Sequence, residues 1–332
     1  MALSSRLLAW AMLIPLVGAS LDVYAQPAEA TAGWPSRTIR LIVPFTPGGS
    51  QDVIARVLGQ KVGDALGQRL LIDNRPGAGG VIATQEGARA NADGNTLLLS
   101  TGAQMAIAPG LNPKVGYDPL RDFVHVIHLV DLPLVLLAHP ALPVTGVKDL
   151  IAFARANPGK VNTASTGNGT YTHMTLELFK SIAGVEMTHV PYKGAAPALN
   201  DLIARQVETM FTTTASAQPF TSTQRVKALG ITAPNRSAML PDVPTFAEQG
   251  VPGLNVSSWV GISVPAGTPQ PIVARLGAEF ARALEAPDVR ERMATLGAEL
   301  VSVRAAAFTL MVRADQARWA KLIKAAGLKP TE

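Results

Sequence analysis

Residues 42–55 read IVPFTPGGSQDVIA: an apolar run, a Pro-Gly-Gly turn, then a polar-led segment. Beyond the turn Val53, Ile54, Val57, Leu58, Val62 and Leu66 recur at helical spacing. The stretch 39–45 is therefore expected to be a strand that feeds a glycine turn and a helix N-terminus. Residues 162–179, NTASTGNGTYTHMTLELF, repeat the same order of parts: short strand, Ser/Thr/Gly turn, helix. The first N–H groups of a helix have no partner inside the helix and carry partial positive charge, so such turns suit anions. In the first turn Gly48 and Gly49 permit close backbone approach, and Ser50 is the expected N-cap. The second offers Ser165, Thr166, Gly167, Gly169 and Thr170 before a helix bearing His173. Ordinary capped glycine turns are the plain alternative for either one alone; the matching pair favours binding.

Around these turns the pattern alternates. Strand 39–45, a helix from Val53 to Leu66, strand 70–74, helix 81–90 and strand 96–100 form a β-α-β-α-β unit, which argues for a parallel sheet with helices on both faces. A second series runs through helix 148–157, strand 161–165, helix 171–183, strand 187–192, helix 195–204 and strands 207–212 and 226–232. Two apolar extended runs, near 130–140 and 257–265, bracket it. Helices follow to Leu328, the first with Ile272, Leu276, Phe280 and Leu284 on one face. The economical architecture is α/β and two-lobed, each lobe a sheet flanked by helices, joined by two crossing strands. The expected first lobe comprises 34–136 and 262–332, the second 137–261, with a cleft between them as the default binding site.

With 332 residues, 48% hydrophobic and 16% charged, the chain is globular and long enough for two cores. Its net charge of +5 is scattered, and no nucleic-acid recognition motif accompanies it. Residues 1–25 have the layout of a cleavable secretory signal peptide: Arg6, an apolar stretch, then Val23 and Ala25 before a cut after Ala25. A flexible leader over 26–33 is expected to follow. The chain contains no Cys, which excludes disulfides, thiolate nucleophiles and Cys-ligated metals.

Catalytic signatures are missing. Ile82 stands in GAGGVI where a dinucleotide fingerprint needs Gly or Ala. The five His residues, at 125, 128, 139, 173 and 189, lack metal spacing. No phosphate loop, nucleophile elbow or Ser-x-x-Lys pair occurs. No cofactor and no metal are expected. Several polar residues end strands at a carboxyl edge, where open α/β sheets form sites: Asn74 with Arg75, then Ser100, Thr101 and Gln104, then Tyr192 and Lys193. Asp52, early in its helix, reads as a partner of the dipole. Trp259, in the second extended run, reads as packing.

WPSRTIRLIVPFTPGGSQDVIARVLGQKV, NRPGAGG, STGNGTYTHMTLELF, HVPYKGAAPALNDLI, LPDVPTFAEQG and WVGISVPAGTP together resemble the Bug-type extracytoplasmic solute receptors, the substrate-binding proteins of tripartite tricarboxylate transporters. The resemblance runs from Trp34 to the end. It implies a type II-like periplasmic binding protein, monomeric, that closes on a small carboxylate and delivers it to integral membrane transporter subunits. In that family the two turns clasp the ligand carboxylates; the matching positions are Phe45, Thr46, Gly48, Gly49 and Asp52, then Ser165, Thr166, Gly167, Gly169, Thr170 and His173. Two departures stand out. Gln51 replaces a small residue, and Thr212 follows Phe211 where an acid is common, which disfavours amino-acid ligands and leaves di- or tricarboxylates or aromatic acids. The alternatives are a ligand-sensing partner of a membrane signalling protein and, with no nucleophile in view, a periplasmic hydrolase.

Overall fold

A computed structural model describes residues 33–328; the signal peptide and leader expected at the N-terminus fall outside them, apart from Gly33. The first unit is β1 (Ile39–Val43), α1 (Ser50–Leu66), β2 (Leu70–Asn74), α2 (Val81–Ala88) and β3 (Thr96–Thr101). A π-helical turn (Ala103–Ile107) and the short α3 (Ala108–Leu111) lead into β4 (Phe123–Ala138). The second unit is α4 (Val147–Ala156), β5 (Asn162–Ser165), α5 (Tyr171–Ala183), β6 (Thr188–Pro191), α6 (Ala195–Ile203), β7 (Thr209–Thr213), α7 (Thr214–Thr221) and β8 (Lys227–Ile231). The chain ends through β9 (Ser257–Pro265), α8 (Gln270–Glu285), α9 (Pro287–Thr295), β10 (Glu299–Arg304) and α10 (Ala305–Ala325).

The molecule is two-lobed, and β4 explains how. Its sixteen residues are almost all buried, as expected of an apolar run covered on both sides. From Phe123 to Pro133 it pairs antiparallel with β9, and part of this stretch also pairs with β10. From Leu134 to Ala138 it pairs instead with β7 and β8. The change of partner falls at Pro133, whose missing N–H suits a point where a ladder ends. The return passage lies beside it: Thr232 N donates to Leu134 O and Val256 N to Thr232 O, at 2.9 and 3.0 Å.

Each sheet has helices on both faces. In the first lobe Leu58 of α1 and Leu276 and Phe280 of α8 pack with Leu41 and Ile262 of the sheet, while Phe308 and Trp319 of α10 pack with Leu98 and Met105 on the other side. In the second, Phe179 of α5 and Phe246 cover Phe211 of β7, and Leu199 and Leu202 of α6 cover Met210.

Strand directions fix what faces what. β1, β2 and β3 are mutually parallel, β3 is antiparallel to β9, and β9 is antiparallel to β4. So β1–β3 run the same way as β4, towards the second lobe. β7 is antiparallel to β4, and β5 and β6 run with β7, so β5–β7 run back towards the first lobe. The carboxyl ends of both sheets therefore meet at one boundary, and the N-termini of α1, α2, α5, α6 and α7 gather there.

Three stretches depart from the sequence reading. The stretch 103–111, assigned no element, forms the π-helical turn and α3. The stretch 299–304, expected within a helical tail, is β10, added to the first sheet against β4. The stretch 214–221, assigned no element, is α7, and Pro219 sits inside it; Pro within a candidate helix is the signal that argues against one.

Candidate functional site

At the first turn Thr46, Pro47 and Gly48 are exposed and Gly48 has φ +85°, a conformation that favours glycine. The N-cap of α1 is Gly49, with no side-chain cap. This corrects the expectation for Ser50, which is the first residue of the helix. The first-turn amides thus lack a side-chain acceptor. Asp52 supports the turn from beneath. It is buried, and its carboxylate accepts from Gly48 N, Arg56 Nε and Asn74 Nδ2, each at 2.9 Å. Burial pushes its pKa up, but the bonds from Arg56, Gly48 and Asn74 outweigh that and the net shift is downward. Asn74 Nδ2 also donates to Phe45 O at 3.0 Å, so Asn74 fastens the end of β2 to the turn. Phe45 packs against the first-lobe core.

The second turn is laced by its own side chains. Gly167 N donates to Ser165 Oγ at 3.1 Å and Thr166 N to Thr172 Oγ1 at 2.9 Å. Thr170 Oγ1 donates to Gly167 O at 2.7 Å and accepts, at 3.5 Å, from His173 N as the N-cap of α5. Gly169 N donates to His173 Nδ1 at 3.1 Å. That bond leaves Nδ1 unprotonated and puts the proton of a neutral His173 on Nε2, which lies 3.9 Å from Glu177 Oε1. Lys180 Nζ holds both oxygens of Glu177 at 2.9 Å. His189 stacks on His173 with ring centroids 3.9 Å apart, and its Nε2 lies 2.6 Å from Ser165 Oγ. Burial pushes both imidazoles down to about 4, helped for His173 by Lys180 and for His189 by His173 and Lys180. Both rings are neutral at pH 7.

The remaining candidates differ in accessibility. Ser100, Thr101 and Gln104 are buried at the end of β3; Ser100 Oγ accepts from Ser263 Oγ, Thr101 Oγ1 donates to Gln104 Oε1 and Gln104 Nε2 donates to Leu99 O. Tyr192 donates to Asp201 at 2.7 Å; burial first and Asp201 second push its phenol up to about 12. Lys193 is exposed, just before the uncapped N-terminus of α6 at Gly194. Sequence reasoning missed Thr213, which caps α7 at the same boundary by accepting from Ser216 N at 3.3 Å; the Thr-Thr-Thr-Ala-Ser run at 212–216 was the available signal. Trp259, read as packing, is nearly buried and also donates its Nε1 to Asp315 at 2.9 Å. A groove of about 780 Å³ lies elsewhere, between α1 and the outer edge of β2. Among the described residues no group of three His, Asp or Glu is placed to hold a metal, and no helix is long and apolar enough to cross a membrane.

A family model, the tripartite tricarboxylate transporter family receptor, matches residues 54–328. The chain belongs to this family. Its relatives include the protein BugT of Bordetella pertussis, 37% identical over 306 residues, 92% of this chain and 94% of that one. Among solved structures, Rpa4515 of R. palustris with adipate has a TM-score of 0.82 at 36% identity, covering 90% of this chain and all of that one. MatC of Rhodopseudomonas palustris with bound malate has a TM-score of 0.78 at 35% identity, covering 87% and 100%. The periplasmic binding protein BugD has a TM-score of 0.79 at 35% identity, covering 89% and 99%. As a Bug-type receptor the chain is a substrate-binding protein, not an enzyme.

Proposed function

We propose that this receptor binds a small carboxylate, foremost a dicarboxylate, between its lobes in the periplasm and hands it to integral membrane subunits of a tripartite tricarboxylate transporter. One observation carries the reading: helix N-termini from both sheets converge on one boundary, with the α1 turn free of any side-chain cap. Adipate and malate in two relatives at 35–36% identity support the ligand class. In this reading one carboxylate sits on the amides after Gly48 and Gly49, near Thr46. The second turn, from Ser165 to Thr170 with His173, meets the other end of the ligand, and Tyr192 and Lys193 stand at the rim. Neutral donors dominate, so selectivity follows chain length and shape more than charge count. The lobes divide where strand pairing changes, at Pro133–Leu134 and at Val256–Ser257, and hinge motion there opens and closes the cleft. The receptor acts as a monomer after removal of its signal peptide.

Isothermal calorimetry and thermal shift across adipate, malate, citrate and benzoate test this. Stabilisation by at least one dicarboxylate, growing with its concentration, is expected. No shift with any of the four would refute the carboxylate reading.

A further inference from the structure

Asp315 is a carboxylate in α10 that none of the site chemistry above uses, and it sits where the lobes touch. Its Oδ2 accepts from Trp259 Nε1 of β9 at 2.9 Å and from Tyr171 Oη of α5 at 3.2 Å. Trp259 and α10 belong to the first lobe; Tyr171 is the first residue of α5 in the second, directly after the Thr170 cap. Tyr171 and Trp259 are 5% and 4% exposed, so both donors are shielded from bulk solvent. No cation lies in ion-pair distance of Asp315 among the described residues, and burial raises its pKa.

The fit around Tyr171 is close. Gly102, which follows β3 at the boundary, has an ordinary helical φ of −65°, so conformation does not require glycine there. Space does: a Cβ on Gly102 would lie 1.8 Å from Tyr171 Oη and 2.7 Å from Trp259 Nε1. The ring of Trp319 meets Tyr171 edge-on at 5.9 Å. A second contact joins the same two regions, since a Cβ on Gly169 would come 2.9 Å from Leu111 Cδ1 of α3. The first turn of α5 is thus seated in a socket of the first lobe made by Gly102, Leu111, Trp259, Asp315 and Trp319. An apolar socket would hold a Phe as well. A buried carboxylate is costly unless its bonds fix a geometry; of the two bonds that Asp315 accepts, the one from Tyr171 crosses between lobes, and one turn further along α10 Arg318 Nη2 reaches Asn255 O of the second lobe at 2.7 Å.

We propose that Tyr171 and Asp315 are positioning residues: their bond, with Trp259 as the second donor, ties the second anion turn to the first lobe and sets the distance across the cleft. The effect on affinity rests on the carboxylate reading; the effect on lobe geometry does not.

The lack of cysteine makes the test direct. Gln60→Cys in α1 and Ser181→Cys in α5, both exposed, take a pair of spin labels whose distance distribution is measured without ligand in the full chain, with Tyr171→Phe and Asp315→Asn added singly. A broader or displaced distribution is expected in both. Tyr171→Phe keeps the ring in its socket and is the decisive variant should Asp315→Asn fold poorly. An unchanged distribution in folded Tyr171→Phe overturns the proposal. With adipate and malate as probes, Tyr171→Phe is expected to bind about fivefold more weakly wherever the parent binds, the loss of one hydrogen bond; equal affinity also overturns it. If neither acid binds the parent, the carboxylate reading fails, while the distance measurement still decides the tether.

Discussion

The turns after β1 and after β5 share one sequence pattern and differ in how they are held. The first is held from below: Asp52, in the first turn of α1, fastens Gly48 N, Arg56 and Asn74, and the helix mouth carries no side-chain cap. The second is held from within, by Ser165, Thr170, Thr172 and the imidazole of His173. Similar backbone geometry therefore leaves more amides available on one side and more structured hydroxyls and neutral imidazoles on the other. The pair is asymmetric, and if the two turns hold the ligand as proposed, such a clamp distinguishes its two ends.

The strongest challenge to that contrast is Asp52→Ala. It strands a backbone amide and the Asn74 side chain, and about 3 kcal/mol of stability is expected to go, read from urea denaturation, with the first turn losing its shape. Next come the glycines. Gly169 has φ +70° and faces Leu111, so Gly169→Val is expected to cost about 2 kcal/mol as well as affinity. Gly49 has φ −74° and its nearest neighbour to a Cβ is 3.7 Å away, so Gly49→Val should lose affinity, by calorimetry with the best acid of the panel, at a stability cost of only about 0.5 kcal/mol from a poorer N-cap. Equal stability losses in the two would erase the distinction. Smaller still is the cap: Thr170→Val is expected to cost about 1 kcal/mol, while Ser50→Ala, which removes no cap, should stay within about 0.5 kcal/mol.

The most graded effect is pH. His173 and His189 sit at about 4 when folded, against an ordinary value of 6.5, chiefly through burial. The unfolded chain takes up protons near pH 6.5 and the folded one only near 4, so stability is fullest above pH 6.5 and falls as pH drops between those values. His125, also pushed down to about 4 by burial, adds to the slope. Urea midpoints across pH 4–7.5 should show this decline, and His189→Asn should flatten it. An identical slope in that variant would remove His189 from the account.

Much of the fold was legible because periodicity is a local signal: α5 and β9 begin and end where the pattern places them. What escaped was decided by distant partners. Residues 299–304 are largely exposed and become a strand only because β4 offers them an edge. Asp52 looked like a dipole partner from its position in the helix, but its three donors come from Gly48, Arg56 and Asn74, the last of them at the end of β2. Tyr171 gave no signal at all, since its partner lies 144 residues away. Likewise the candidate turns could be found from glycine and hydroxyl residues, whereas their mutual orientation depends on strand directions that only the pairing supplies.

The meeting of both carboxyl edges at one boundary has an electrical corollary. Helix ends of the same partial sign confront each other there, so bringing the two halves together around a neutral guest works against repulsion, whereas a negative guest supplies the missing countercharge. On the proposed carboxylate reading, charge itself becomes the permit for shutting, and an uncharged analogue of matching shape is expected to occupy the gap without drawing the halves together.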